Sequence, residues 1–134
     1  MKFRQNIILT NMVMLYREDG SFLVQNRLAQ DWPGINFPGG HVENEETLEQ
    51  AVLREMKEET GLDVQEVEFC GVFDWNVPEE HLRHVALLYR SRHFSGTLQA
   101  SEEGPLLWLK EDDLPSYSLS NDFEKVLSLM RKGL

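Results

Sequence analysis

The chain has 134 residues, 41% hydrophobic and 27% charged, with a formal net charge of −10. This composition is that of an ordinary soluble globular protein, and the length suits a single domain over residues 1–134 that buries about two thirds of its unfolded surface. The acidic balance excludes long nucleic acid held on a general basic surface, but not a small anionic nucleotide, because a bound cation reverses the local field.

Ile7 to Tyr16 is rich in Ile, Val, Met and Leu and reads as a largely buried strand. Glu18-Asp-Gly-Ser21 is a turn and Phe22 to Asn26 the returning strand, so the two are expected to pair as a hairpin. Arg27 to Gly34 reads as a loop carrying Trp32 and Pro33. Ile35 to Phe37 is a short strand leading into Pro38-Gly39-Gly40, where glycine lets the backbone approach a ligand or metal closely.

A helix follows. Thr47-Leu-Glu-Gln50 fits a capping box, and Gly61 supplies the residue that stops the helix in the left-handed region. Leu48, Val52 and Met56 make an apolar stripe at about 100° per residue. Glu55 and Glu59 lie on or within its edge, and Glu58 sits beside it. Spacings of three and four residues bring these carboxylates together, at a cost of about 0.2–0.5 kcal/mol per solvated pair and more when partly buried. A divalent cation would turn that cost into binding, since carboxylate oxygens suit Mg²⁺. A solvated acidic face is the plain alternative.

Val64 to Val77 reads as one strand bent near Gly71. Cys70, the single cysteine, excludes an internal disulfide and a cysteine-built zinc centre and reads as a core residue. Pro78-Glu-Glu80 is a turn, His84 to Phe94 a strand, Ser95 to Gly104 a polar loop, and Leu106 to Leu109 a strand with Trp108. Glu111 to Pro115 reads as one helical turn. Asn121 caps a last helix, Asp122 to Lys132, with Phe123, Val126, Leu127 and Met130 on one face. Strands flanking one helix, with a second closing the chain, suit a mixed sheet between two helical layers. No signal peptide and no long apolar span is visible, so the expected setting is cytoplasmic with no membrane partner.

Gly40, Glu46, Arg54, Glu55, Met56, Glu58, Glu59, Gly61 and Leu62 fit G-x5-E-x7-R-E-U-x-E-E-x-G-U at every fixed position, U being a bulky aliphatic residue. This resembles the Nudix box, the signature of the Nudix hydrolases, and Phe37-Pro38-Gly39 also looks like family sequence. The resemblance implies an α/β/α sandwich with a mixed sheet, in the α/β (α+β) class. It implies hydrolysis of a nucleoside diphosphate linked to another group, with Mg²⁺ or Mn²⁺ held against the diphosphate. It implies ligation by Glu55, Glu58, Glu59 and the Gly40 carbonyl, and an Arg54 that orients the glutamates by ion pairing. By helical angle alone Arg54 points away from their face, and a surface salt bridge is its alternative. Glu46 reads as structural.

Attack of water on phosphorus asks for a cation against developing charge and a carboxylate to take the proton. In the family that base is a box glutamate or a carboxylate on a distant loop. Glu102 and Glu103 are the loop candidates and resemble the base-bearing loop of the MutT-type branch; a solvated loop carboxylate is the alternative for each. His41 reads as a neighbour of the metal loop. His81 and His84 are spaced like helical ligands but are expected at a strand start, facing opposite ways.

Asp112-Asp-Leu-Pro115, followed by Asn121 and a helix, resembles the end of the MutT-type branch, where an asparagine reads the purine edge. An Asn amide offers donor and acceptor, which suits oxidised guanine; a helix cap is its alternative. Phe37 is placed to stack under a base or to fill the core, and Asn26 or Arg27 to touch sugar or phosphate. The expected reaction is therefore hydrolysis of an oxidised purine nucleoside triphosphate to monophosphate and pyrophosphate, as in an 8-oxo-dGTP diphosphatase. Pro78, near where ADP-ribose hydrolases of the family carry a proline, keeps ADP-ribose and dinucleoside polyphosphates open. A nucleotide-sensing module is a further alternative, although such modules usually carry a degenerate box. Monomer and homodimer are both compatible with the sequence.

Overall fold

The computed structural model describes residues 3–30, 32–99 and 102–134. Position 31 in the expected 27–34 loop and positions 100 and 101 in the expected 95–104 loop lie outside the described residues. The elements in order are β1 (Asn6–Leu15), β2 (Phe22–Arg27), β3 (Gly34–Asn36), β4 (Gly39–His41), α1 (Leu48–Thr60), β5 (Asp63–Val77), β6 (Leu82–Ser95), β7 (Leu106–Leu109) and α2 (Phe123–Arg131).

The strands form two sheets, a mixed one in the order β4-β1-β6-β5 and an antiparallel one in the order β3-β2-β7. The expected β1–β2 hairpin is not made. β1 is occupied on both edges: parallel β6 runs along it from Asn6↔Leu82 to Leu15↔Ser91, and β4 pairs with it at Asn11↔Gly40. After one bridge, Tyr16↔Phe22, β2 leaves to pair with β3 and β7. β5 pairs with β6 with register shifts before and up to Gly71, which is the expected bend.

Alternation along β1 sends successive side chains to opposite faces. Val13 and Leu15 pack with Leu23, Leu87, Tyr89 and the α1 residues Val52 and Met56. Met14 packs with Val24, Ala86, Leu88 and the α2 residues Phe123, Val126, Leu127 and Met130. The sheets thus lie between two helical layers, as expected. Leu48 departs from the expected stripe: it is 43% exposed, and α1 buries Ala51, Val52, Glu55, Met56 and Thr60 instead.

Arg90, 8% exposed, ties the layers together. Its guanidinium donates to the carbonyls of Met130 (2.9 Å) and Lys132 (2.7 Å) at the end of α2, and to Glu68 on β5 (2.7 Å). It satisfies carbonyls that a helix end leaves without partners. The hydrogen bond from Arg90 holds the Glu68 carboxyl below the usual range. A depressed carboxyl pKa stabilises the fold above the ordinary carboxylate range and loses that contribution as pH falls through it. Arg90→Met should therefore lower unfolding stability by about 2–3 kcal/mol at neutral pH, since hydrogen bonds to a charged group are lost and buried carbonyls are left bare. Urea unfolding between pH 7 and pH 3 should show the gap from wild type narrowing in acid.

Candidate active site

The loop and helix from Gly39 to Gly61 are organised locally by their own hydrogen bonds. Gln50 N–H donates to Thr47 Oγ1 (3.1 Å) and Thr47 N–H to Gln50 Oε1 (2.9 Å), the expected capping box. Gly61 closes the helix at φ 79°, with its N–H on the Lys57 carbonyl.

Arg54 does not point away. Its long side chain reaches back along α1 and across to the preceding loop. Nε and Nη2 grip the two oxygens of Glu46 (2.9 and 2.6 Å), Nη2 also donates to the His41 carbonyl (2.9 Å), and Nη1 donates to Glu55 (2.9 Å) and Glu58 (3.2 Å). Glu46 in turn accepts from Glu43 N–H (2.8 Å). Hydrogen bonding from Arg54, then from the Glu43 backbone, holds the Glu46 carboxyl down to about 2.

Glu55 is 8% exposed, and burial pushes its carboxyl up; Arg54 opposes that, while the charges of Glu58 and Glu103 add to it. Its carboxylate lies on the main chain of Gly40. A Cβ at position 40 would fall 2.3–2.5 Å from the Glu55 carboxylate atoms, so any larger residue there would have to displace that carboxylate. A buried carboxylate against a glycine main chain, with Glu58 and Glu103 in its field, is an oxygen-donor set of the kind hard divalent cations take. Among the described residues no three His, Cys, Asp or Glu side chains are already closed into a cation cage. Of the three carboxylates expected to converge, Glu55 and Glu58 are held by Arg54, which sits between them.

A cleft of about 190 Å³ opens beside this loop. One end is formed by Gly39, Gly40, His41, Arg27 and Glu103, the other by Phe37, Trp32, Trp75 and His84. His84 stacks on Trp75 (4.8 Å between centroids, 2°) and Trp32 on Trp75 (5.6 Å). A smaller hollow shares Trp32, Asn36, Phe37 and Trp75 with the cleft and adds Asn121 and Asp122.

Arg27 and Glu103 both reach the cleft and pair at 3.3 Å; Glu102 is exposed and does not line it. Asn26 does not line the cleft either, because strand alternation gives that face to Gln25 and Arg27. Phe37 is 5% exposed and already stacks on Phe123 (4.7 Å, 14°), so it is a core ring with one edge on the cleft. Asn121 is not the helix cap: Asp122 holds the N-cap position at φ 67°, makes no side-chain cap bond, and α2 begins at Phe123. His81 lies outside β6, in the left-handed region at φ 53°. Cys70 is half-buried, and burial raises its thiol pKa. Sequence reasoning missed Asn11, Gln25, Trp32, Asn36 and Trp75. Only the two tryptophans carried a signal, as large aromatics beside loops.

A two-sheet sandwich in which a glycine loop feeds an acid-rich helix beside a small cleft is the architecture of the Nudix domain. The chain belongs to the Nudix family: the family model described as NUDIX domain matches residues 8–130. Among curated relatives, the CTP pyrophosphohydrolase of Escherichia coli is 33% identical over 112 residues, covering 79% of this chain and 78% of that protein. The 8-oxo-dGTP diphosphatase of Proteus vulgaris is 35% identical over 71 residues, 52% of this chain and 63% of that protein. Among solved structures, the MutT Nudix hydrolase of Burkholderia pseudomallei superposes with a TM-score of 0.81 at 27% identity, covering 93% of this chain and 98% of that one. The chain is accordingly a Nudix hydrolase, of a family that uses divalent metals on small nucleotide substrates.

The Arg54 clamp gives a direct test. In Arg54→Gln, the Glu46 carboxyl should titrate above about 2, moving toward its ordinary 4.5, while the Glu43 N–H still holds it down in part, read by carbon-detected NMR of the side-chain carboxylate. Because the lowered pKa ties loop order to ionised Glu46, that order should persist at pH 4 in the wild type, while the variant, without the guanidinium that grips Glu46, should lose it already at neutral pH.

Proposed function

We propose that this hydrolase converts an oxidised purine nucleoside triphosphate, of the 8-oxo-dGTP type, to the monophosphate and pyrophosphate. The observation that carries the reading is the cleft. It joins the Gly39–Gly40 loop to an aromatic end, and the hollow beyond presents Asn121, whose amide is not engaged in capping α2. The box-bearing loop suits the diphosphate, Trp32 and Trp75 suit a planar base, and Asn121 offers the donor and acceptor that an oxidised guanine edge needs.

Glu55, Glu58, Glu59 and the Gly40 carbonyl would hold Mg²⁺, with Mn²⁺ a close substitute, and the ion would neutralise diphosphate charge and acidify the attacking water. The protein's own groups do the rest. Arg54 fixes the orientation of Glu55 and Glu58. Arg27, at the same end of the cleft, offers a guanidinium to phosphate or sugar oxygens. Glu103, which faces the cleft where Glu102 does not, is the better placed carboxylate to accept a proton from water, a box glutamate being the other candidate.

A second reading, a pyrimidine triphosphate, draws on the similarity to the CTP pyrophosphohydrolase. ADP-ribose has less support, since Pro78 lines a separate surface hollow with Arg4, Asn6, His81 and Arg83. No helix among the described residues is long and apolar enough to cross a membrane; we place the protein in the cytoplasm, as a single domain working as monomer or homodimer.

A panel of 8-oxo-dGTP, dGTP, CTP, other nucleoside triphosphates and ADP-ribose with Mg²⁺, with product identification, tests the proposal. Pyrophosphate release with preference for 8-oxo-dGTP is expected; preference for CTP or ADP-ribose overturns it. Glu58→Gln or Glu59→Gln should lower the rate by at least about a hundredfold in saturating Mg²⁺, as when a metal ligand is lost; a loss under about threefold would rule out the ligand assignment. Asn121→Ala should flatten the ranking of purine over pyrimidine substrates while slow cleavage continues.

A further inference from the structure

Two amide groups in the cleft wall have hydrogen-bonding capacity that the described residues do not use. Asn11 on β1 is 2% exposed and Gln25 on β2 is 3% exposed. Both line the cleft, and Asn11 Nδ2 and Gln25 Nε2 are buried without a hydrogen-bond partner. The orientation of the Asn11 amide is fixed by the main chain: Gly40 N–H donates to its Oδ1 (3.3 Å), which leaves Nδ2 as the donor without a partner. Buried donors without acceptors are rare and destabilising, so two in one cleft call for an explanation.

The third amide of the wall is engaged. Asn36 Oδ1 accepts from Trp32 Nε1 (3.0 Å) and Ser120 Oγ (2.7 Å), and its Nδ2 donates to the Trp32 carbonyl (3.3 Å). The amide nitrogens of the wall left without a partner are those of Asn11 and Gln25. Their place is set by strand register. Asn11 pairs with Gly40, at the end suited to the diphosphate; Gln25 pairs with Asn36, beside Phe37 at the aromatic end. A nucleoside reaches from the phosphate end, across its pentose, to the base end.

We propose that Asn11 and Gln25 are specificity-determining residues, a donor pair that recognises acceptor atoms of the nucleoside part of the substrate. The acceptor is a ring carbonyl of the base or an oxygen of the pentose. At a ring carbonyl the pair disfavours nucleotides presenting a donor there, as a 6-aminopurine does where a 6-oxopurine presents an oxygen; at the pentose it disfavours nucleotides lacking the oxygen. The inference rests on the proposed nucleotide reading of this cleft. It has a signature that a structural role lacks. Removing an unpaired buried donor should stabilise the free protein while weakening substrate binding, so stability and affinity move in opposite directions.

The experiment compares wild type, Gln25→Leu and Asn11→Asp, the last keeping the acceptor for Gly40 N–H while replacing the donor. Substrates are dGTP, its 2-aminopurine analogue lacking the 6-oxygen, and 2′,3′-dideoxyGTP lacking the 3′-hydroxyl. Gln25→Leu should melt about 2–4 °C above wild type without ligand. Both variants should raise KM about tenfold with kcat little changed, the scale of one lost hydrogen bond. The penalty that wild type shows for one analogue should vanish in the variants. Loss of the 2-aminopurine penalty assigns the pair to the base, and loss of the dideoxy penalty to the pentose. KM within twofold of wild type with the same analogue ranking overturns the inference, as does a lower melting temperature of Gln25→Leu alongside a KM unchanged across the series. If wild type turns over the series and the variants do not differ, this inference alone fails. If wild type neither binds nor hydrolyses any nucleotide, the proposed function fails with it.

Discussion

The Arg54 guanidinium is the interaction on which the rest of the site depends. It joins the end of β4 through the His41 carbonyl, the connecting loop through Glu46, and α1 through Glu55 and Glu58. An exposed ion pair contributes about 0–1 kcal/mol, too little to organise a loop. This one is different in kind: a planar fork meets a carboxylate with two bonds, the Glu46 side chain is 14% exposed, and four acceptors share one cation. A lysine could not span them. The same cation offsets the field of carboxylates that would otherwise repel each other on adjacent turns. The acid-rich helix is therefore tolerable to the fold because of one residue inside its own signature.

Much of this was legible in the sequence where the determinants are local. The limits of α1 follow from Thr47, Gln50 and Gly61, whose roles depend only on neighbours a few residues away. The two helical layers follow from alternation in β1 and the apolar face of α2. What escaped were matters of partnership between distant segments. Whether β1 pairs with β2 depends on β4 and β6 claiming its edges, which nothing between residues 7 and 26 encodes. Asn121 fits a cap pattern, yet Asp122 takes the position because the backbone before α2 is drawn to β3. Helical angle alone points Arg54 away from the glutamates because it describes a Cβ direction, whereas a guanidinium on its long stem reaches well beyond it. Asn11 and Gln25 escaped because a polar residue in an apolar strand has no sequence signature that separates a cleft-facing amide from a solvated one.

The parting of the two sheets makes the cleft. β1 and β4 supply one wall, β2 and β3 another, and Trp75 and His84 reach in from β5 and β6. Had β1 and β2 formed the expected hairpin, the sheets would have been continuous there. The topology that defeats the simple sequence reading is thus the one that leaves space for a ligand, and the buried amides sit on strands from both sheets.

β3 links the two ends of that space. The segment before α2 is hooked to it by Ile35 N–H on the Ser118 carbonyl (2.9 Å) and Ser120 N–H on the Ile35 carbonyl (3.1 Å). Gly34 permits the approach: a Cβ there would lie 2.8 Å from the Ser118 oxygen. A few residues on, the Pro38 carbonyl accepts from Val13 N–H (2.9 Å) and the glycine loop begins. The span from Asn121 to Gly40 is consequently a ruler graduated in peptide units. Side-chain substitutions can recolour its marks, but its length changes only in steps of about 3.3 Å, one residue at a time. Evolution of a new ligand length on this scaffold would have to proceed by insertion or deletion between positions 34 and 40, a discontinuous path that point mutation does not offer.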